Sequence, residues 1–171
     1  MADMRTGITP TQVDASAVFP VGLEADDPRN GFTGNRIKYF RANGSIAANN
    51  VFIADVSFAT AAERHATVVN ATAVSQSVEG VNDITGVTVT SGQFFWGTVK
   101  GRAIAKTSAI TAATNNRLGT SGTAGTLVAI TGSTPTGAEV IAAIAAGIGK
   151  GAVAMSDTGT PSAGVSYILL S

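Results

Sequence analysis

The chain has no cysteine, a single histidine and few charged side chains. The lack of cysteine excludes disulfide frameworks, thiolate zinc sites and cysteine nucleophiles. Charged residues make up 13 % of the 171 residues, whereas roughly 25 % is usual in soluble domains. Basic and acidic residues number 11 each, so no net charge draws the chain to nucleic acid or anionic membrane. Such a surface favours a protein that is covered in an assembly; a free, neutral, Ser/Thr-coated domain is the alternative.

Long apolar runs are also missing. No segment approaches the roughly 20 apolar residues needed to span a bilayer. Residues 1–19 lack the basic start and the continuous apolar run of a signal peptide. We therefore expect a protein that is made in the cytoplasm, is not exported by the usual signal and has no membrane partner.

What the chain does contain is a repeated β-strand pattern. Residues 78–106 hold short runs of Val, Ile, Thr, Phe and Trp that are cut by glycine and other turn residues. Residues 86–90 and 93–100 are predicted to pair across Ser91-Gly92, and Gly101 is predicted to mark a bulge or a close backbone approach. Further strands are predicted over residues 51–58, 66–70, 78–81, 102–106, 127–131, 152–155 and 165–170. The spacing predicts a mainly β fold, either a small β-barrel or a β-sandwich.

Two other elements interrupt this pattern. The spacing of Thr136 and Glu139 is that of a capping box, which predicts a short helix near residues 137–147. Residues 1–42 hold three prolines and have no sustained apolar period. They are predicted to form an extended N-terminal arm, and residues 43–171 the β-rich domain. A disordered tail is the alternative, but the aromatic residues in this segment argue against it.

A search for reactive groups returns little. His65 has no second histidine or positioned nucleophile near it in sequence. The run Gly147-Ile148-Gly149-Lys150-Gly151 follows a predicted helix, whereas a phosphate-binding loop precedes one. Trp96 and Phe94 are predicted to share one face of a strand, where a core or interface role is favoured over ligand stacking. We therefore predict no catalytic residue, no metal ligand, no cofactor and no small-molecule substrate.

Several turn motifs resemble a pattern found in small structural proteins of tailed bacteriophages. Glu79-Gly80-Val81 is followed by Ser91-Gly92-Gln93-Phe94 and then by Val99-Lys100-Gly101-Arg102-Ala103. The later segments 118–121, 124–127 and 149–152, with the closing strand at 167–169, are similar as well. The resemblance covers roughly residues 43–171 and is carried by turn glycines and small residues.

The resemblance implies a capsid decoration, or cement, protein. Such proteins are compact β-rich modules that bind the outside of an expanded capsid, often as trimers, and reach neighbouring coat subunits with an N-terminal arm. The expected partners are the major capsid protein and further copies of this chain in a homotrimer, with no nucleic acid. The expected location is the outer capsid surface of a virion assembled in a bacterial host. A tail, fibre or knob component that binds a receptor or glycan is the alternative function, and an enzyme using His65 is a third.

The candidate contact residues lie in the predicted arm. Phe19 and Phe32 are predicted to insert into the shell as apolar anchors. Arg29, Arg36, Lys38 and Arg41 are predicted to contact acidic patches on the coat protein; a merely solvated basic segment is the alternative for these four. Deletion of residues 1–42 is expected, from the sequence, to abolish attachment and leave the β-rich domain folded.

Overall fold

The computed structural model describes residues 8–27, 29, 34–57, 66–73, 76–84, 86–107, 117–129, 152–154 and 164–170. These ranges contain eleven β-strands and no helix. The strands are β1 (Val13–Asp14), β2 (Glu24–Asp26), β3 (Arg36–Ala42), β4 (Val51–Ala54), β5 (Thr67–Asn70), β6 (Gly80–Val81), β7 (Phe94–Thr107), β8 (Arg117–Thr120), β9 (Leu127–Ala129), β10 (Ala152–Ala154) and β11 (Gly164–Leu170). The predicted mainly β fold is confirmed, while the predicted helix near residues 137–147 lies outside the described residues.

A closed five-stranded barrel stands at the centre of this structure. Its strands follow the order β3–β5–β4–β6–β7, and pairing of β7 with β3 closes the circle. All pairs are antiparallel except β3 with β5. Closure satisfies strand edges that would otherwise be open to pairing with other chains. Of the two predicted architectures, barrel or sandwich, the structure has the barrel.

Strand β7 belongs to a second circuit as well. At 14 residues it is the longest strand and spans about 45 Å. Its first half pairs with β3, whereas residues 101–107 pair with β11. From β11 the pairing continues through β10, β8 and β9 and returns to β7, where Leu127 lies opposite Thr107. A single strand thus joins two closed circuits of strands.

Gly101 lies where β7 passes from one circuit to the other. Its φ is +90°, and a Cβ at this position would lie 2.0 Å from Asn35 Oδ1. The Asn35 side chain pairs with Arg102 as a strand backbone would. Its Nδ2 donates to the Arg102 carbonyl (3.0 Å), and its Oδ1 accepts from the Arg102 N–H (2.9 Å). The close backbone approach predicted at Gly101 is confirmed, because only glycine fits both the angle and the space.

The barrel interior is built on aromatic rings. Phe40, Phe52 and Phe95 are fully buried, with ring centroids 5.0 to 6.0 Å apart. The Phe52 ring lies against two glycines of neighbouring strands: a Cβ on Gly97 would be 2.5 Å from Phe52 Cζ, and one on Gly80 would be 2.9 Å away. These strand glycines provide the space that the ring occupies.

A second buried cluster lies between the two circuits. It includes Val51 and Val81 of the barrel, Ala103 and Ala105 of β7, and Leu127 of β9. Strict alternation over residues 51–58 predicts that only one face of β4 is uniformly apolar. Both faces are covered where β4 begins, because one borders the barrel interior and the other borders this cluster.

The hairpin predicted between residues 86–90 and 93–100 is wrong. Residues 86–90 make only an isolated bridge, between Val89 and Ile46. The turn at Ser91-Gly92 exists, since Gln93 N–H donates to the Thr90 carbonyl (3.1 Å) and Gly92 has φ +87°. A turn dipeptide reverses the chain locally but does not determine which strand pairs with the one that follows. That partner is β3, whose buried side chains match the apolar face of β7.

The boundary predicted at residue 42 does not coincide with a structural boundary. Strand β3 lies within the predicted arm, yet it closes the barrel and buries Ile37, Tyr39 and Phe40 completely. Strands β1 and β2 also pair with the sheet, with β7 and β3 respectively. The arm was predicted from its prolines and sparse apolar residues, and that signal does not reveal an aromatic strand at the end of the segment.

We therefore expect deletion of residues 1–42 to unfold the barrel, contrary to the expectation from sequence alone. The deletion removes one of the strands that close the circle, together with three fully buried side chains. Thermal denaturation followed by circular dichroism would show no cooperative transition. A shorter deletion of residues 1–7, which removes no described residue, is the control. A cooperative transition in the long deletion would show that β3 is dispensable.

A second prediction concerns the point where the two circuits meet. Gly101→Ala places a methyl group against Asn35 in an unfavourable backbone conformation, so we expect a loss of about 1–3 kcal/mol in the free energy of unfolding. Gly122→Ala is the matched control, because a Cβ there meets nothing within 4 Å and should change stability by about 0.5 kcal/mol or less. Urea titration measures both. Equal stability of the two variants would contradict the role given to Asn35.

Candidate partner-binding surface

The N-terminal segment folds back onto the outside of its own barrel. Phe19 packs between Tyr39 and Trp96, with ring centroids 5.4 and 5.3 Å away. Phe94 stacks on Tyr39 from the other direction, at 6.0 Å. Phe94 and Trp96 therefore share one face of β7, as predicted, and Trp96 is a buried core residue. Phe19, predicted to insert into a shell, inserts here into the chain's own aromatic cluster.

Tyr39 fixes the N-terminal segment by hydrogen bonds as well as by its ring. Its hydroxyl donates to Asp14 Oδ2 (2.6 Å) and accepts from the Val18 N–H (3.4 Å). Burial and the Asp14 carboxylate raise the pKa of Tyr39 to about 12. The hydroxyl therefore remains a hydrogen-bond donor at every pH at which the protein would function.

Three exposed apolar side chains lie within six consecutive residues of this segment. Val18, Val21 and Leu23 are 60 %, 37 % and 39 % exposed. They form what we call the apolar ridge. Among the described residues from 8 to 128, the one other large apolar side chain exposed to this degree is Val56. Phe19 packs inwards beside exposed Val18, and the bends and turn over residues 18–22 leave Val21 and Leu23 exposed as well.

The backbone of the apolar ridge is held in place. Leu23 N–H donates to the Pro20 carbonyl (3.0 Å) and closes a turn, in which Gly22 takes φ +93°. Gly22 N–H donates to the Tyr39 carbonyl (2.8 Å), and Tyr39 N–H donates to the Leu23 carbonyl (2.9 Å). A surface that is ordered before binding loses less conformational entropy when a partner docks. The ridge therefore has the properties of a preformed contact surface.

Arg29 is not a free surface cation. Its Nη2 lies 2.8 Å from Asp27 Oδ2 and 3.3 Å from Thr98 Oγ1, and its Nη1 donates to the Asp83 carbonyl (3.1 Å). Its side chain is only 19 % exposed, and that of Asp27 is fully buried. Burial raises the pKa of Asp83, and the nearby Arg29 guanidinium opposes that rise. This network ties the segment before β3 to β7 and to the loop after β6.

The other predicted contact residues are distributed as follows. Arg36 forms an exposed ion pair with Glu24 (3.2 Å). Lys38 Nζ lies 5.3 Å from the centroid of the Phe40 ring. Arg41 is half-buried, and its N–H donates to the Ala66 carbonyl (2.8 Å). Phe32 lies outside the described residues. The structure therefore does not bring the four predicted basic residues together into one exposed patch.

The part of the ridge that sequence reasoning missed is Leu23. From the sequence, Phe19 is predicted to be the anchor in this stretch. The informative signal was the turn at Pro20 and Gly22, which places Leu23 beside Val21 and turns both outwards. Tyr39 was also missed as the fixed point of the segment, because nothing in the sequence shows that it lies beneath Phe19.

Asp55 has a structural role. Asp55 accepts hydrogen bonds from Ser57 N–H and Oγ and from Asn43 Nδ2, and these contacts lower its pKa. This arrangement stabilises a turn and keeps the carboxylate charged. In the described ranges no three His, Cys, Asp or Glu side chains lie close enough to hold a metal ion. A search of the same ranges finds no helix that could span a membrane.

We expect Arg29→Ala to destabilise the fold by roughly 3 kcal/mol at neutral pH, because it leaves the Asp27 and Asp83 carboxylates buried without their cation. A carboxyl whose pKa is raised in the folded state favours folding at low pH, and this contribution is lost as the pH rises through that pKa. Removing Arg29 leaves the desolvation of Asp83 unopposed. The deficit should therefore be largest at neutral pH and shrink as the pH falls towards the unfolded-state value near 3.8.

Urea titrations of this variant at several pH values measure the effect. Arg36→Ala is the control, because its exposed pair with Glu24 should contribute about 0–1 kcal/mol. An Arg29→Ala variant as stable as the parent would show that Arg29 contributes no more to stability than an exposed surface cation.

No protein-family profile, curated protein or solved structure shows a significant match to this chain.

Proposed function

We propose that this chain is a structural virion protein that binds the outer surface of an expanded phage capsid and joins neighbouring coat subunits, acting as a homotrimer. The observation that carries the proposal is the apolar ridge. Three of the four large apolar side chains that are exposed among the described residues 8–128 lie in one short segment, and that segment is held in place by contacts with Tyr39 and Phe19. Clusters of this kind mark contacts with other protein.

The identity of the partner comes from the resemblance to capsid decoration proteins. The glycines that carry this resemblance have specific positions in the fold. Gly80 lies against the Phe52 ring, Gly92 forms the turn before β7, and Gly101 lies where the two circuits meet. The compact fold with its two closed circuits of strands depends on these glycines. Such a fold suits a protein that acts by presenting a binding surface.

The proposed contact differs from the one expected from sequence. Phe19 acts from within, by fixing the segment, and Val18, Val21 and Leu23 are the side chains that meet the coat protein. The chain as a whole has few charged residues, which favours close packing against neighbours because few ions must be stripped of water. Weak contacts suffice in this setting, since a trimer that binds a repeating shell engages several sites at once.

Co-sedimentation with expanded and unexpanded heads of the encoding phage tests this proposal. We expect saturable binding to expanded heads alone. Val18→Ser/Leu23→Ser should weaken binding at least about tenfold, because truncation of a central apolar contact commonly costs that much. Val56→Ser is the matched control, since Val56 is 79 % exposed but lies outside the ridge; its binding should not change.

Thermal denaturation of both variants should match that of the parent, which separates loss of contact from loss of fold. Absence of binding to either form of head would overturn the proposal. A tail, fibre or knob component that binds a receptor or glycan would then become the leading interpretation. Binding that is weakened equally by the ridge variant and the Val56 variant would show that the ridge is not the contact.

A further inference from the structure

The basic side chains of this neutral chain are concentrated on two paired strands. Strands β3 and β7 carry six basic residues and no acidic one. They are Arg36, Lys38 and Arg41 on β3, and Lys100, Arg102 and Lys106 on β7. The three on β7 lie far from the others in sequence, and only the fold brings the two groups together.

The basic residues of β7 form an exposed line. Lys100, Arg102 and Lys106 are exposed, and the buried residues Ala103 and Ala105 lie between the last two. From Lys100 to Lys106 the strand extends about 20 Å. We call Arg36, Lys100, Arg102 and Lys106 the basic stripe. Ile104, which is half-buried, lies within it.

The pairing within the basic stripe is unfavourable for the isolated chain. Arg36 on β3 lies opposite Lys100 on β7, and like charges at opposed positions repel. Arg36 is paired with Glu24 on its other side. Lys100 and Lys106 form no ion pair with any described acid. Strand β11, which pairs with residues 101–107, has no acidic residue in its sequence.

One acidic residue, Asp83, contacts this region through the backbone of β7. Its Oδ1 accepts from the Ile104 N–H (3.3 Å). Its Oδ2 lies 3.8 Å from Nη2 of Arg29, whose guanidinium also pairs with Asp27. The Asp83 side chain is mostly buried, whereas the side chains of Lys100 and Lys106 are exposed. The charges of these two lysines therefore face solvent.

We propose that the basic stripe binds an acidic segment of a protein partner, laid along β7 in extended form. Carboxylates on every second residue of an extended segment repeat at about 6.6 Å, which is the spacing of alternate residues along β7. Ile104 offers an apolar contact between the charged ends. This inference rests on the proposed function, in which the acidic segment belongs to a coat subunit beside the one that holds the apolar ridge.

A protein partner fits better than nucleic acid. The chain as a whole has no net charge, so a long polyanion would gain little beyond the stripe itself. The acidic residues of β2, Glu24 and Asp26, border the stripe through β3 and would repel a polyanion that extends past it. A short acidic segment laid along residues 100–106 of β7 avoids them.

A fluorescently labelled peptide of ten glutamates is a suitable probe, with a single-stranded DNA of twenty nucleotides as the competing polyanion. Fluorescence anisotropy at two salt concentrations measures both. We expect the peptide to bind the parent protein and to bind it more weakly at higher salt. We expect it to bind the Lys100→Gln/Lys106→Gln variant roughly five- to tenfold more weakly than the parent. The matched control is Lys38→Gln/Lys150→Gln. It removes the other two lysines of the chain and should leave peptide binding within about twofold of the parent.

Each outcome has a definite meaning. No peptide binding by the parent, or equal loss in the two double variants, would overturn the inference. Tighter binding of the DNA than of the peptide would assign the stripe to nucleic acid instead. Head co-sedimentation separates this inference from the proposed function. If the Lys100/Lys106 variant attaches to heads as well as the parent does, the stripe has no part in attachment although the proposed function stands. If the parent binds the peptide but no heads, the stripe binds acidic segments although the proposed function fails.

Discussion

The structure depends on one strand that pairs along its whole length with two different sets of neighbours. β7 closes the barrel with β3 in its first half and joins the second circuit through β11 in its second half. Such a strand must change its twist and its partner in the middle without leaving backbone groups unpaired. The Asn35 amide meets this requirement at Gly101, because it bonds Arg102 on both its N–H and its carbonyl. The buried clusters on either side of Gly101 can form because β7 changes its partner from β3 to β11 at this point.

The two surface features described above follow from the same arrangement. β3 is held between β2 and β7 at its start, and Tyr39, farther along β3, packs against the N-terminal segment. Phe19 lies against the Tyr39 ring, and the neighbouring residues turn outwards as the apolar ridge. The same pairing sets Arg36 beside Lys100 and builds the basic stripe. The apolar ridge and the basic stripe therefore both depend on the position of β3 against β7.

Local signals predicted much of this fold. The strand runs, the turn at Ser91-Gly92 and the special role of Gly101 could be read from residue types, because each depends on backbone chemistry within a few positions. Which strand pairs with which could not be predicted from such local signals. Nothing near β3 in sequence shows that it pairs with β7, and so β3 was assigned to an arm and β7 to a hairpin. The basic cluster around Arg29 illustrates the same limit. Four cations close in sequence proved to have separate environments, whereas Lys100 and Lys106, remote in sequence, lie along the surface that Arg36 shares.

The connections of Tyr39 have a mechanical consequence. Its amide, carbonyl, hydroxyl and ring all contact the segment that bears the ridge. A pulling force applied to Val21 or Leu23 by an attached partner would therefore pass directly into β3. From β3 the load would reach β7 through the hydrogen bonds that pair the two strands. Pulling the N-terminal segment away from the barrel would therefore require the backbone, hydroxyl and ring contacts of Tyr39 to break.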